Sequence, residues 1–239
     1  MDIITVISVT ELLNKLQELG NFMMHRGHGN SSWPLLPSIA NLSPSQKGYE
    51  DWVALQNDLL ERFTTRALPY INPKPENHLE WLIIAQHYGL PTCLLDWTTN
   101  PLKALFFAVE NPSHDVDGAV WAFEPTGYYT ELTQLFKSKG AYLHSLASYL
   151  PPHIDLRIVA QESCFTFFPL LESTEPIQPL DNVEHYKAEI QNIVKFVIPK
   201  DEKGFCRYEL RKLGISHMSL FPGLDGIAKD IRRELGLSW

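Results

Sequence analysis

The chain has 239 residues, enough for one large domain or two small ones and for a substantial hydrophobic core. Hydrophobic residues make up 44% and charged residues 20%, a composition that excludes an intrinsically disordered protein. The formal net charge of −8 argues against broad, nonspecific binding of nucleic acid through phosphate contacts.

The sequence also predicts the compartment. The first residues lack the basic region and long apolar core of a secretory signal, and no apolar run reaches membrane-spanning length. The three cysteines are far apart and have no CxxC spacing, which indicates neither a disulfide framework nor a zinc knuckle. We therefore expect a cytoplasmic protein.

The N-terminal half is predicted to contain helices separated by one short strand and by proline-containing loops. Ser8 and Glu11 have the spacing of a capping box, and Gly20 ends the apolar periodicity that follows. The apolar run 22–26 is typical of a buried strand. Asn100 before Pro101 predicts a capped helix start. Helices are predicted over residues 8–20, 49–67, 80–88 and 101–109.

The C-terminal half is predicted to be richer in strands. Extended segments are expected over 118–124, 158–160, 164–168 and 190–198, and helices over 201–213, with Asp201 as the cap, and 224–235. There is no internal repeat, low-complexity tract or flexible linker. We expect a single α+β domain over residues 1–239, with an N-terminal helix over about 8–20, a core over about 21–235, and a mixed, twisted central sheet flanked by helices.

Arg26 is the first candidate site residue. It follows an apolar run and precedes Gly27, which lets a ligand or another backbone come close. A guanidinium offers five donors in a rigid fork suited to phosphates and carboxylates. The alternative is an arginine that joins a strand end to a carboxylate elsewhere in the fold.

The segment 86–98 is a second concentration of polar side chains among apolar ones. Asp96 lies between Leu95 and Trp97, so we expect it to pair with Arg26, a histidine or backbone amides. Thr98 is suited either to a ribose or phosphate contact or to turn and capping bonds. His87 is either a catalytic base or a histidine at a helix C-terminus.

Gln161 and Glu162 lie between two predicted extended segments, where catalytic groups at strand ends are often found, although such a pair is also common in solvated loops. His25, His28 and His87 show no fourth metal ligand. The sequence contains no GxSxG, P-loop or GxGxxG motif, which argues against a serine hydrolase, a P-loop NTPase and a Rossmann enzyme.

Several segments together resemble one family. Met24-His25-Arg26-Gly27-His28 and the segments 33–38, 85–92, 94–98, 101–108 and 118–121 resemble the FRG domain, named after a Phe/Tyr-Arg-Gly motif in bacterial and phage proteins, and 161–165, 212–215 and 220–228 resemble its later elements. The resemblance runs from about residue 20 to residue 235. This chain departs from the family pattern at Met24-His25, where an aromatic residue usually precedes the arginine, and at Gln161-Glu162-Ser163.

The order arginine, Ser/Thr, Gln/Glu is similar to that of the Arg-Ser-Glu type of ADP-ribosyltransferase, and this resemblance implies a fold, a substrate and roles. Arg26 and Gly27 would hold the pyrophosphate of NAD, and Thr98 would shape the ribose pocket. Glu162, next to Gln161, would carry the catalytic charge. His87 and Asp96 would hold the site together.

The resemblance also implies a toxin or anti-phage effector that cleaves the nicotinamide–ribose bond of NAD. ADP-ribose would pass to a protein or nucleic acid, and an antitoxin or other neutralising protein would be a partner. The alternative is a non-catalytic module that binds a nucleotide or protein through the Arg26 cleft. A hydrolase or nuclease that uses His87 and Asp96 is a third hypothesis.

Overall fold

The computed structural model describes residues 1–111, 115–131, 145–151, 156–235 and 237. Within them, eight strands form one mixed sheet with the order β1-β8-β4-β2-β3-β7-β6-β5. The outermost pairs, β1 with β8 and β5 with β6, are parallel, and all other pairs are antiparallel. The strands are β1 Asp2–Thr5, β2 Met24–His28, β3 Leu94–Thr98, β4 Gly118–Pro125, β5 Tyr128–Tyr129, β6 Ala147–Tyr149, β7 Ser163–Phe167 and β8 Ile190–Ile198.

Helices pack on this sheet, which confirms the predicted α+β class with a mixed central sheet. In the described parts of the chain they are α1 Val9–Leu19, α2 Trp52–Ala67, α3 His78–His87, α4 Pro101–Val109, α5 Leu156–Gln161, α6 Lys203–Lys212, α7 His217–Leu220 and α8 Leu224–Glu234. None of them is both long and apolar enough to span a bilayer.

Two hydrophobic clusters lie side by side and leave a gap between them. In one, α1, α4 and α6 pack on β4 and β8 through residues such as Leu12, Leu105 and Phe196. In the other, α2 and α3 pack on β3, β6 and β7 through residues such as Leu82 and Phe165. A third cluster, which includes Trp97, Trp121 and Phe123, contains the alternate residues of the same strands. The candidate site lies in the gap between the first two clusters.

The helix termini follow the capping chemistry that the sequence predicts. The Ser8 hydroxyl accepts from the amide of Glu11, and the Glu11 carboxylate accepts from the amide of Ile7. The Asn100 side chain accepts from the amide of Leu102, and Pro101 is the first residue of α4. The Ser8 and Asn100 side chains each satisfy a helix N–H that would otherwise lack an acceptor, whereas Glu11 accepts from an amide just before the N-cap.

Some sequence-based predictions were wrong. Residues 158–160 were predicted to be extended but lie in α5, where Ile158 is buried and its neighbour Val159 is exposed. A short apolar run does not distinguish a strand from a helix, and the helix buries only one side of this run. Asp201 was predicted to cap a helix, but it lies in a 3₁₀ turn and α6 begins at Lys203 without a side-chain cap.

Candidate functional site

A separation of β2 from β3 creates the cleft. The two strands pair only at His25 and Thr98, whereas β2 pairs with β4 and β3 pairs with β7 along their whole length. A cleft of about 350 Å³ lies where they separate, between the two hydrophobic clusters. Its size is within the range of small-molecule sites. The polar side chains that line it include Arg26, Gln86, Asp96, Glu110, Arg157 and Gln161.

The Arg26 guanidinium occupies this separation. Its Nε donates to Nε2 of His28 at 2.9 Å, and its Nη1 donates to the backbone carbonyl of Asp96. The second bond therefore spans β2 and β3 beyond their one paired position. A guanidinium has five N–H donors, and within the described residues the other three have no acceptor. They are available to a ligand.

The charge of Arg26 is only partly compensated. Burial lowers the pKa of Arg26, and the nearby Asp96 carboxylate raises it by less. No carboxylate in the described part of the chain lies within ion-pair distance of this guanidinium. A half-buried cation without an ion-pair partner favours an anionic ligand in the cleft, because such a ligand supplies the missing counter-charge.

Two buried histidines beside Arg26 are neutral. Burial, the Arg26 charge and the Lys195 charge lower the pKa of His28 to about 3, although a hydrogen bond with the backbone of Trp33 raises it. Burial lowers the pKa of His25 to about 4, against a smaller increase from a hydrogen bond with the backbone of Thr98. Because neutral His28 retains a lone pair on Nε2, it can accept the Arg26 Nε–H and fix the guanidinium plane.

Asp96 lines the cleft with an exposed carboxylate. Its Oδ2 accepts a hydrogen bond from Nε2 of Gln86 at 2.8 Å, and the Gln86 Oε1 accepts one from Thr92 at 2.6 Å. From the sequence, Asp96 was expected to pair with Arg26, a histidine or backbone amides. Its hydrogen-bond partner in the structure is instead the amide of Gln86, and the carboxylate is therefore oriented at the cleft without being neutralised.

Thr98 and Gln161 line the cleft, but part of their hydrogen-bonding capacity serves the fold. The Thr98 hydroxyl donates to the backbone carbonyl of Gln161 at 2.7 Å and accepts from the amide of Asn100 at 3.1 Å. Nε2 of Gln161 donates to the carbonyl of Leu220 at 3.2 Å. The hydroxyl proton of Thr98 is used within the protein, so a ribose contact would be made by the hydroxyl oxygen as acceptor.

Glu162 is not among the residues that line the cleft, although its neighbours Gln161 and Ser163 are. Its Oε1 accepts from the Lys103 ammonium at 2.7 Å, and Asn100 makes a longer contact with the same oxygen at 3.4 Å. Partial burial raises the pKa of Glu162, but the hydrogen bond and charge of Lys103 outweigh this effect and lower it overall. Glu162 also has a φ of 49°, in the left-handed region that side chains other than glycine rarely adopt.

Gly27 contacts helix α4 closely. A Cβ atom at Gly27 would lie 1.9 Å from the carbonyl oxygen of Ala104 and 2.7 Å from the amide nitrogen of Ala108. From the sequence, Gly27 was expected to let either a ligand or another backbone segment come close. The structure shows a close backbone, and the glycine that follows Arg26 brings α4 against β2.

His87 is the last residue of α3 and lies at the junction of the cleft with a second depression. Its ring lies 5.1 Å from the ring of Tyr88, and its backbone carbonyl accepts from Arg157 at 3.4 Å. The sequence left two roles open for His87, a catalytic base or a histidine at a helix C-terminus. The structure places His87 at a helix end beside the cleft.

The match to a known family agrees with this geometry. The family model of the FRG domain matches residues 21–117. Over these residues the chain is similar to the FRG domain. The matched residues include Arg26, Gly27, His87, Asp96 and Thr98, all of which line the cleft. Searches of curated proteins and of solved structures found no match.

The match ends before Gln161 and Glu162, so the resemblance expected for the later segments stays a prediction. Several side chains that line the cleft were not among the candidate residues predicted from the sequence, and they include Trp33, Glu110 and Arg157. Trp33 could have been identified from the sequence, because it lies in one of the segments that resemble the FRG domain. No sequence motif marks Glu110 or Arg157, because only tertiary packing brings them to the cleft.

Glu110 has an unusual environment. Burial raises its pKa, although the charges of Arg233 and Lys229 oppose this effect. One carboxylate oxygen lies 3.5 Å from Nε2 of His217, whose own pKa is lowered to about 4, mainly by burial. No group of three His, Cys, Asp or Glu side chains in the described ranges has an arrangement that would hold a metal ion.

Proposed function

We propose that the cleft binds NAD and that the protein cleaves the nicotinamide–ribose bond and transfers ADP-ribose to a macromolecule. The observation that carries this proposal is the meeting of Arg26, Thr98 and Gln161 in one cleft. Arg26 and Thr98 lie on the neighbouring strands β2 and β3, and Gln161 ends α5, two residues before β7, the next strand in the sheet. This is the chain order that the resemblance to ADP-ribosyltransferases implies.

The residues of the cleft fit a dinucleotide. The N–H groups of Arg26 that have no acceptor within the described chain suit a pyrophosphate, whose oxygens accept paired donors from a guanidinium. His28 and the Asp96 carbonyl hold that guanidinium in place. Trp33 is exposed at the rim and offers a flat surface to an aromatic ring.

The reaction needs a carboxylate at the ribose. Cleavage gives the bonding electron pair to the nicotinamide nitrogen, which leaves as a neutral ring, while positive charge develops on the ribose. The acceptor nucleophile then forms the new bond at C1′ and loses its proton to a base. Asp96 is our candidate for charge stabilisation and proton acceptance, because its carboxylate lies in the cleft and Gln86 orients it.

Glu162 supports a second candidate function. Its carboxylate is held by Lys103 and is not part of the cleft lining, and this is not the position that the ADP-ribosyltransferase resemblance implies for a catalytic group. A cleft that has an anion-binding arginine but lacks that carboxylate suits a non-catalytic module. In this alternative the protein binds a nucleotide or a phosphate-bearing partner through Arg26 and does not turn it over.

Incubation of the purified protein with NAD distinguishes the two functions. Release of nicotinamide, measured by chromatography, or transfer of labelled ADP-ribose to a lysate supports the enzyme. We expect Asp96→Asn to abolish release with NAD affinity within about threefold of the wild type, since this change keeps the shape and removes the charge. Glu184→Gln, which removes an exposed carboxylate paired with Lys187, is the matched control.

The outcomes separate clearly. NAD binding without release by the wild-type protein would leave the binding module as the function. Release that continues in Asp96→Asn but stops in Glu162→Gln would return the catalytic role to Glu162 and require its carboxylate to leave Lys103. If no NAD binds, the proposal is wrong.

Growth on expression tests the biological role. A toxin or anti-phage effector should arrest growth, and Arg26→Ala should relieve the arrest at an equal protein level. A neutralising partner would then be sought as a co-expressed protein that restores growth. Normal growth at high expression of the wild type, in the presence and absence of phage, would contradict the effector role.

A further inference from the structure

A groove joins the cleft at its outer end. It has a volume of about 740 Å³ and is formed by the end of α3 and by the turn that precedes α8. His87 and Arg157 line both the groove and the cleft, so the two depressions are adjacent. The FRG match ends well before this turn, although the segment 220–228 is among those whose sequence resembles later elements of that family.

The groove has flat rings and polar groups of both signs. Tyr88 is 72% exposed, and its ring lies beside that of His87. The Arg157 guanidinium lies over the Phe221 ring, 5.0 Å from the ring centre, in a cation–π contact. Asp225 also lines the groove. An exposed ring, a guanidinium and a carboxylate are groups that proteins use to bind a nucleobase and its sugar.

The volume of the cleft also supports a dinucleotide that extends into the groove. The cleft alone is near the lower limit for a ligand site, whereas a dinucleotide is about twice the size of a mononucleotide. A dinucleotide with one half in the cleft would extend past Arg157. Two arginines, Arg26 in the cleft and Arg157 at the junction, then lie along the path of its phosphates.

We infer that the groove binds the adenosine half of the dinucleotide whose nicotinamide half occupies the cleft. The adenine ring stacks on Tyr88, Arg157 contacts the phosphates at the junction, and Asp225 accepts hydrogen bonds from the exocyclic amine or the ribose hydroxyls. This inference rests on the proposed function, because it assigns the second half of the same ligand.

Calorimetric titration of the full chain with NAD and with nicotinamide mononucleotide tests the assignment. Tyr88→Ala should weaken NAD binding about tenfold, the effect expected for loss of one base–aromatic stack, and should leave mononucleotide binding unchanged. Asp225→Asn should also weaken only NAD binding. Tyr70→Ala is the matched control, because Tyr70 is 88% exposed in a turn that does not line the groove.

Each result has one meaning. Equal weakening of both ligands by Tyr88→Ala, or no weakening of either, overturns the assignment and leaves the proposed function intact. If Tyr88→Ala lowers transfer to the macromolecule while NAD affinity and nicotinamide release stay unchanged, the groove binds the acceptor and the assignment is wrong. Failure of the wild type to bind either ligand refutes the proposed function and this inference with it. Near-identical thermal unfolding of Tyr88→Ala, Asp225→Asn and wild type confirms that the variants fold.

Discussion

Nε of Arg26 donates a hydrogen bond to Nε2 of His28, two residues further along the same strand, at 2.9 Å. Alternate residues of a strand point to the same face, which places these two side chains together. Because burial and neighbouring cations lower the pKa of His28 to about 3, the imidazole is a neutral acceptor at physiological pH. The HRGH sequence thus contains the guanidinium and the group that orients it.

Replacement of Arg26 by lysine tests whether guanidinium geometry matters beyond charge. A lysine ammonium keeps the positive charge but cannot make the fixed bonds to His28 and the Asp96 carbonyl while it also presents a fork to a ligand. We expect Arg26→Lys to weaken binding of an anionic nucleotide about tenfold to a hundredfold. Arg62→Lys, at an exposed ion pair on α2, should leave calorimetric affinity unchanged. Equal affinity of Arg26→Lys and wild type would contradict an anchoring role.

The contact of Gly27 with α4 predicts a large stability effect. In Gly27→Ala the new methyl group would overlap the Ala104 carbonyl, so the helix and strand must move apart. We expect a loss of at least ~3 kcal/mol in the free energy of unfolding, measured by urea denaturation. Gly127→Ala is the control, because a Cβ there meets no atom within 4 Å. A loss below ~1 kcal/mol for Gly27→Ala would contradict the close packing.

The buried histidines predict a pH dependence of stability. His25, His28 and His217 have folded-state pKa values of about 4, 3 and 4, below the ordinary value of 6.5. The unfolded chain therefore binds protons first as the pH falls below 6.5, and the stability of the folded state decreases from there until the folded-state pKa values are reached. At pH 5 each histidine should lower the free energy of unfolding by ~2 kcal/mol relative to pH 8.

Urea denaturation of the wild type and of His28→Gln at pH 8 and pH 5 measures this effect. The variant should lose less stability between the two pH values, because one of the buried histidines that resist protonation is absent. Equal losses in both proteins would mean that His28 does not remain neutral in the folded state.

The Lys103–Glu162 ion pair predicts a modest stabilisation. Glu162→Gln leaves a mostly buried ammonium with the carbonyl of Ala160 as its remaining partner in the described residues. Because the Glu162 side chain is 45% exposed, solvent screens the pair, and we expect a loss of ~1 kcal/mol in the free energy of unfolding. Glu184→Gln, in a fully exposed pair, should change it by less than ~0.5 kcal/mol. An equal effect in both variants would contradict a structural role for Lys103.

The sequence by itself determined several local elements and named candidate site residues on β2 and β3. Capping residues, glycine stops and apolar periodicity specify α1, α4 and the central strand β4, because these signals act over a few neighbouring residues. Arg26, Asp96 and Thr98 were identifiable because polar groups within apolar strands require partners. The edge strands β1 and β5, and β6 beside β5, gave no such signal, since they are short and their pairing depends on distant segments.

Only the tertiary structure decided which of those side chains share a cleft. The separation of β2 from β3 depends on pairing with β4 and β7, and the close contact at Gly27 depends on the path of α4. Glu162 faces Lys103 because its left-handed backbone and the start of α4 direct it there, and no spacing rule encodes that direction. Local sequence specifies which groups need partners, whereas packing between distant segments decides which partners they find.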